Sequence, residues 1–419
     1  MSTRNELLDN LQSQGIHVEQ HADNVRGIPS SLLRHREGGA YVVTVGGDRD
    51  AKDQVGAFVD GLAWVASETS GPADLVLRVA SAHDPRLTNG VVGALASMRS
   101  SYVGDIAIHL ETEYAPGQFA PADEQHPPVE SDPKLLTWKK YLETWYATRP
   151  SGLARDILDQ DRSDRLRLYP QLSKNPKQAG WSLRLDGLQV GVVGEDTGWL
   201  RVGTVPTAQK AVQAWAVVRP GGYGTQTLGS TDAVSAAKLL HQLADHLQSQ
   251  AGLVQHGQPE HSLESAILRG KVEVHTDTET LELPWQQEGR TQRIAWGSQI
   301  PTLWWPGGTA RYLDALMKHG STPWAVEMKV AAAGGGYGRY VRQGLTQAIL
   351  YRHFLRSAHQ YDAWLDGLGM DRQLCRAALL YPEPSAAVAP VVAARLDALD
   401  RLCLDFDVTP IRVDIPGLH

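Results

Sequence analysis

Cysteine is nearly absent from this chain, which carries two in 419 residues. Both of them, Cys375 and Cys403, lie in apolar segments, so we expect reduced thiols in a protein core rather than a disulfide framework. The histidines show no spacing typical of zinc sites. No run of about eighteen apolar residues occurs, so we expect no membrane span. These absences exclude a disulfide-rich scaffold and a membrane protein.

Signals for secretion and for nucleotide binding are also missing. The first residues, MSTRNELLDNLQSQG, contain acids and no apolar stretch, so we expect no signal peptide and a cytoplasmic location. Neither a G-x-G-x-x-G motif nor a Walker lysine is present, so the sequence gives little support for a nucleotide site.

The net negative charge of the chain lies in residues 1–130. The net charge is −7, and residues 1–130 carry nine Lys or Arg against eighteen Asp or Glu. The remaining 289 residues carry 31 against 29. The larger part of the chain is therefore compatible with a nucleic-acid partner, because its positive and negative charges nearly balance.

Residues 1–114 alternate between apolar strands and helices. This order predicts a small α/β domain with a parallel sheet, from the segments GAYVVTVGG, DAKDQVGAFVDGLAWVASETS, ADLVLRVAS, TNGVVGALASMRSS and GDIAIHLET. Residues 115–133 are rich in proline and acid and lack periodicity, which predicts a linker. We therefore expect the chain from residue 134 onward to fold without the first domain.

Residues 134–250 predict a mixed α+β region. The expected order is one helix, several strands and a final helix, from LTWKKYLETWYATRPSGLARDILDQ, WSLRLDGLQVGVV, TGWLRVGTV, AVQAWAVVRP and STDAVSAAKLLHQLADHLQSQ. No function is legible in this region. A polar stretch then leads into a last domain, residues 251–419.

Charged residues stand on a predicted hairpin of the last domain. RYLDALM, the turn KHGST and PWAVEMKV read as two antiparallel strands. Residues two apart in a strand share a face, so Glu327 and Lys329 point the same way, and Asp314 on the neighbouring strand can reach them. Burying two carboxylates and an ammonium at one end of a sheet costs free energy unless a cation and a substrate bind to them.

This set suits metal-assisted hydrolysis of a phosphodiester. Carboxylates hold Mg²⁺ or Mn²⁺, the metal polarises the phosphate, and a lysine neutralises charge in the transition state. In the helix that follows the hairpin, Gly344, Gln347 and Tyr351 fall on one face.

Asp314, Glu327-Met328-Lys329 and Gln347-Ala-Ile-Leu-Tyr351 together resemble the PD-(D/E)XK nuclease superfamily, in particular its RecB-like branch. The resemblance covers roughly the last domain and implies a restriction-endonuclease-like αβββαβ core. It implies Asp314, Glu327 and the Met328 carbonyl as Mg or Mn ligands, Lys329 as catalytic, and Gln347 and Tyr351 as positioning residues.

The same resemblance places a further acid on the helix HSLESAILRG, and the expected ligand there is Glu264, with His261 as the alternative. The resemblance also implies DNA, rather than RNA, as the favoured substrate. Some members of this branch bind an iron–sulfur cluster through four cysteines, which this chain lacks.

Three alternative functions are compatible with these sequence features. The first is a metal-dependent nuclease whose N-terminal domain regulates it or recruits a protein partner or small-molecule activator, an arrangement similar to effectors of prokaryotic antiviral defence. The second is a catalytically silent nucleic-acid-binding or scaffold protein on the same fold. The third is a small-ligand enzyme built on the N-terminal sheet, for which no nucleophile–base pair is visible.

Overall fold

The computed structural model describes residues 3–18, 32–46, 51–80, 85–123, 131–147, 150–161, 166–171, 180–185, 188–202, 224–249, 259–284, 298–330, 339–383 and 390–413. Its helices are α1 Arg4–Ser13, α2 Ala51–Glu68, α3 Pro85–Ser100, α4 Pro133–Ala147, α5 Gly152–Gln160, α6 Ala233–Ser249, α7 Pro259–Leu268, α8 Arg339–Ser357, α9 Asp362–Gly367 and α10 Pro390–Asp405.

Strands of several sheets alternate with these helices, so the chain is a mixed α/β protein, as the sequence predicted. The strands are β1 Leu32–Glu37, β2 Ala40–Val45, β3 Ala73–Val79, β4 Ile106–Ala115, β5 Gln118–Pro121, β6 Leu166–Gln171, β7 Gly180–Leu185, β8 Leu188–Val193, β9 Thr197–Val202, β10 Gly224–Gly229, β11 Val274–His275, β12 Thr280–Leu281, β13 Ile300–Thr302, β14 Arg311–Leu313, β15 Ala315–His319, β16 Thr322–Met328, β17 Arg376–Pro382 and β18 Val408–Val413. In the described part of the chain, no helix meets the length and apolarity needed to cross a membrane.

The predicted strand–helix alternation of the N-terminal region is confirmed. β2, β3 and β4 are parallel neighbours, and α2 and α3 make the crossovers between them. Apolar side chains fill β2 because this strand lies inside the sheet.

The three predicted strands are parallel, but two further strands that the sequence did not predict extend the sheet at its edges. β1 and β5 pair antiparallel with β2 and β4. β1, with the sequence LLRHRE, is too charged to be read as a strand, and β5 lies inside the segment 115–133 that was predicted as a linker. Gly38 and Gly39 have positive φ angles, which suits the tight turn between β1 and β2.

The middle region is an antiparallel meander in the order β10-β9-β8-β7-β6. It confirms the strands predicted over 181–202, whereas AVQAWAVVRP lies outside the described residues. The single predicted helix is in fact two, α4 and α5. Pro150 lacks the N–H that a continuing helix needs, and Gly152 has a φ of 51°.

The C-terminal sheet has the order β15-β16-β17-β18, in which β15 is antiparallel to β16 and the other neighbours are parallel. The hairpin β15–β16 is the predicted one. Of the strands between α7 and α8, β15 and β16 belong to this sheet, so the described residues meet the αβββαβ order in part. β11 pairs with β12 and β13 with β14, and Glu282, next to β12, forms an isolated antiparallel bridge with Lys318 of β15.

The strand predicted over RYLDALM divides at Asp314, which separates β14 from β15. Its Oδ2 accepts a hydrogen bond from the Met328 backbone N–H at 2.9 Å. A short acidic side chain can replace a backbone acceptor in this way and interrupt the ladder.

The N-terminal and C-terminal sheets share one buried apolar core. Phe58 of α2 and Met98 of α3 belong to the same cluster as Leu345 and Ile349 of α8 and Phe406. The rings of Phe58 and Phe406 lie 5.9 Å apart. Helix α8 therefore has the N-terminal helices on one side and the C-terminal sheet on the other.

Candidate metal centre

The carboxyl end of β16 brings acidic side chains together with one lysine. β16 lies between β15 and β17, so its side chains are buried on both faces. Val326, Met328 and Val330 join an apolar cluster with α7, and Glu327 and Lys329 occupy the alternate positions. This is the alternation that the sequence predicted.

Three carboxylates meet at this point. Glu260 in the first turn of α7, Asp314 before β15, and Glu327 each offer an oxygen, and these oxygens lie within 4.8 Å of one another. The side chain of Glu327 is 0% exposed, whereas those of Asp314 and Glu260 are 15% and 24% exposed. The group is therefore buried on the Glu327 side and open to solvent through Asp314 and Glu260.

The Lys329 ammonium lies among these carboxylates. Its Nζ donates to Glu260 Oε1 at 2.8 Å, to the Met328 carbonyl at 2.9 Å, and to Glu327 Oε1. Asp314 Oδ2 is 4.0 Å away. If every group is ionised, one positive charge stands against three negative ones.

Burial and mutual repulsion shift the acids towards their neutral forms. Burial first, and then the charge of Glu327, raises the pKa of Asp314 well above its usual range. Burial also raises the pKa of Glu327 to about 7, although Lys329 opposes the shift. For Lys329, burial lowers the pKa, but attraction by Glu327, Asp314 and Glu260 outweighs it, so the pKa is raised and the amine stays protonated.

An oxygen of Glu327 indicates that a divalent cation fits this group. Its Oε2 is buried, and no N–H or hydroxyl group of the described residues donates to it. A buried carboxylate oxygen without a partner is costly, and clustered carboxylates are the ligands that Mg²⁺ and Mn²⁺ prefer. A cation bound to Glu260, Asp314 and Glu327 would satisfy this oxygen and neutralise the excess charge.

The Met328 carbonyl, predicted as a third ligand, accepts the hydrogen bond from Lys329 Nζ. The carbonyl oxygen keeps a second lone pair, so its role as a ligand stays a prediction. Among the described residues, Glu260 joins Asp314 and Glu327 as a third carboxylate.

Glu264, the predicted helix ligand, lies outside this carboxylate group. Its Oε1 accepts hydrogen bonds from Ser298 Oγ and from Gln299 Nε2, and its Oε2 lies 3.8 Å from Arg184 Nη1. Glu264 thus links α7 to β7 of the middle sheet. The side chain of the alternative, His261, lies outside the described residues.

Glu260 and Glu264 therefore have separable expected effects. Glu260→Gln should weaken Mn²⁺ binding about tenfold or more with little loss of stability, because its side chain is partly solvated. Glu264→Gln should leave Mn²⁺ affinity nearly unchanged and cost about 1–3 kcal/mol of stability, because it weakens a buried network. Calorimetric titration and thermal unfolding of both variants measure this, and the reverse pattern would return the ligand role to Glu264.

Gln347 and Tyr351 lie on one face of α8, as the spacing predicted. Gln347 Nε2 donates to the Tyr351 hydroxyl oxygen at 3.1 Å, and this hydroxyl donates to the Tyr312 carbonyl at 3.0 Å. Burial raises the pKa of Tyr351 well above its usual range, so the phenol remains a donor. The pair thus fixes the backbone that leads into Asp314, and these hydrogen bonds do not include Lys329.

Gly344 allows α8 to approach the lysine. A Cβ at this position would lie 2.6 Å from Lys329 Cγ and 2.7 Å from Leu379 Cδ1. Lys329 is therefore packed against the helix backbone, which restricts its rotamers.

A pair of glycine substitutions tests this packing. Gly344→Ala should cost about 1–3 kcal/mol of stability through overpacking and should displace Lys329. Gly56→Ala is the matched control on α2, where, among the described residues, the added Cβ would meet Gln343 Cγ at an ordinary 3.8 Å. The control should gain about 0.5–1 kcal/mol. Equal stabilisation of both variants in thermal unfolding would contradict the close approach.

Comparison with protein-family models and with curated proteins found no match to this chain. The functional interpretation therefore stands on the geometry of the centre.

Proposed function

We propose that this chain is a Mg²⁺- or Mn²⁺-dependent nuclease of the PD-(D/E)XK type, similar to its RecB-like branch, with DNA as the favoured substrate. The observation that carries the proposal is the group of three carboxylates around a buried lysine, in which one Glu327 oxygen lacks a hydrogen-bond donor among the described residues. The Asp, Glu-x-Lys and Gln-x-x-x-Tyr residues come from separate elements and meet at this group or beside it, which supports the resemblance seen in the sequence.

The residues of the centre have different roles in phosphodiester hydrolysis, in which water adds across a P–O bond. Glu260, Asp314 and Glu327 would hold the cation. When bound, the cation supplies Lewis-acid activation of the phosphate and lowers the pKa of water. Lys329, whose amine stays protonated, is placed to neutralise charge on the phosphate oxygens rather than to accept a proton. Tyr351 and Gln347 keep the Asp314 backbone in place.

Incubation of the pure protein with single- and double-stranded DNA and RNA, in Mg²⁺, Mn²⁺ or EDTA, tests the activity. Cleavage that depends on the metal supports the proposal. No cleavage of any of these substrates would favour a second function, a silent nucleic-acid-binding or scaffold protein. That alternative has its own observation, because the Lys329 ammonium already offsets part of the acidic charge without a metal.

Metal binding should depend on pH. Because the folded-state pKa of Glu327 is raised to about 7, the metal-free protein loses stability as pH rises from the ordinary value of 4.5 towards 7. A cation needs the carboxylate forms of both Glu327 and Asp314, whose pKa is raised as well, so Mn²⁺ affinity should rise by at least about tenfold per pH unit below pH 7.

Thermal unfolding with and without Mn²⁺ from pH 5.5 to 8.5 measures this linkage. The stabilisation by Mn²⁺ should grow with pH in the wild type and should be nearly absent in Glu327→Gln. A pH-independent stabilisation, or one that survives in Glu327→Gln, would place the metal elsewhere.

A further inference from the structure

An exposed aromatic residue lies two positions before Asp314, a carboxylate of the candidate metal centre. Tyr312 is 44% exposed and lies on β14, two residues before Asp314. Two residues of chain span at most about 7 Å, so the two Cα atoms are close neighbours. Asp314 is one of the two carboxylates through which the centre opens to solvent.

The backbone that carries this ring is fixed from several sides. The Tyr312 carbonyl accepts the Tyr351 hydroxyl, and Tyr312 pairs with Pro301 of β13. Its neighbour Leu313 is fully buried, and the guanidinium of Arg311 lies over the Trp304 ring at 4.8 Å. The ring therefore projects from a rigid strand, which lowers the entropic cost of binding a flat partner.

A single exposed apolar residue is common and carries no meaning by itself. Among the large hydrophobic residues exposed in the described part of the chain, Tyr312 and Tyr114 are the aromatic ones. Tyr114 belongs to the N-terminal sheet, and its hydroxyl donates to Gln118. Tyr312 differs from it because it adjoins the acidic centre and because the Gln347–Tyr351 pair holds its backbone.

We propose that Tyr312 is a stacking platform for a nucleobase of the strand whose phosphate enters the metal centre, an inference that rests on the proposed function. Every base offers a flat face, so such a contact is tolerant of sequence. A base can stack on a side chain only when it has left its own helix. The substrate is therefore single-stranded nucleic acid, or an unpaired end or flap of a duplex.

Binding of a short fluorescent single-stranded oligonucleotide to the full chain tests the platform, with Ca²⁺ in place of Mg²⁺ to suppress cleavage. Tyr312→Ala should weaken binding about 5- to 100-fold, whereas Tyr312→Trp should retain it. A 2-aminopurine base in the oligonucleotide should be quenched by the wild type and not by Tyr312→Ala. A blunt duplex should bind both proteins equally. Tyr114→Ala is the matched control for removal of an exposed tyrosine, and thermal unfolding of each variant monitors folding.

Three results would overturn the inference. These are wild-type affinity in Tyr312→Ala, equal binding by Tyr312→Leu and the wild type, and absence of single-strand binding in the wild type. Failure of the nuclease proposal looks different: single strands would bind in a Tyr312-dependent way and yet remain uncut in Mg²⁺ and Mn²⁺. Conversely, cleavage that is unaffected by Tyr312→Ala would keep the nuclease and remove the platform.

Discussion

Lys329→Ala is expected to lower the rate of cleavage by about 10²-fold or more, because it removes the positive charge placed for the transition state. The amine donates to Glu260, Glu327 and the Met328 carbonyl, which places its charge within the carboxylate group. Single-turnover cleavage in Mg²⁺ measures the loss. Lys271→Ala, at an exposed lysine just after α7, is the control and should cut at the wild-type rate.

Folding must be separated from chemistry in this experiment, because Lys329 is buried. Asp314→Asn provides the separation: an amide oxygen can still accept the Met328 N–H, while the charge is lost. It should be as inactive as Lys329→Ala and should melt near the wild type. If either variant is folded and cuts at the wild-type rate, the centre is assigned wrongly.

The strands of the candidate centre were predictable because alternation fixes which side chains share a face. Val326, Met328 and Val330 are apolar, and this pattern alone places Glu327 and Lys329 together on β16. The hairpin also predicted the position of Asp314. It did not predict that Asp314 divides its strand into β14 and β15, because the hydrogen bond from the Met328 N–H to the Asp314 carboxylate forms between the two strands of the hairpin.

Glu260 was missed for a physical reason. Helical periodicity shows that Glu260 and Glu264 share a face of α7, one turn apart, and it cannot show which turn meets β16. That choice depends on how α7 packs against Met328 and Val330 and on the link from Glu264 to Arg184 of the middle sheet. The acid in the first turn of the helix was the available signal.

The structure of the segment between β4 and α4 was also not predictable from local sequence. Proline and acidic residues in 115–133 favour a linker, yet Gln118–Pro121 pairs with β4 as an edge strand. Composition reports local preference, whereas the surfaces that meet across the chain are set by apolar residues far apart in sequence. α2, α3, α8 and α10 supply such residues to one core.

A fragment that starts at residue 134 should therefore be insoluble or should unfold at a lower temperature than the full chain, contrary to the expectation from the linker. This fragment lacks α2 and α3. Their absence would expose Leu345 and Ile349 of α8 and the ring of Phe406, which in the full chain are buried in the same core as Phe58. Burial of each such side chain stabilises a protein by about 1.5–3 kcal/mol, and an exposed apolar patch of this kind promotes aggregation.

Soluble yield and thermal unfolding of residues 134–419 and of the full chain measure the effect, and co-expression of residues 1–133 should restore solubility. Phe406→Ala in the full chain is the companion variant, expected to lower the free energy of unfolding by about 3–5 kcal/mol because the ring fills the shared core.

A fragment that is monomeric, melts cooperatively and binds Mn²⁺ like the full chain would show that the two sheets are energetically independent. A fragment rescued by residues 1–133 would instead make the N-terminal sheet a structural support of α8. Any molecule that binds the N-terminal sheet could then act on the centre through α8, because α8 carries Gln347 and Tyr351 and its Gly344 packs against Lys329.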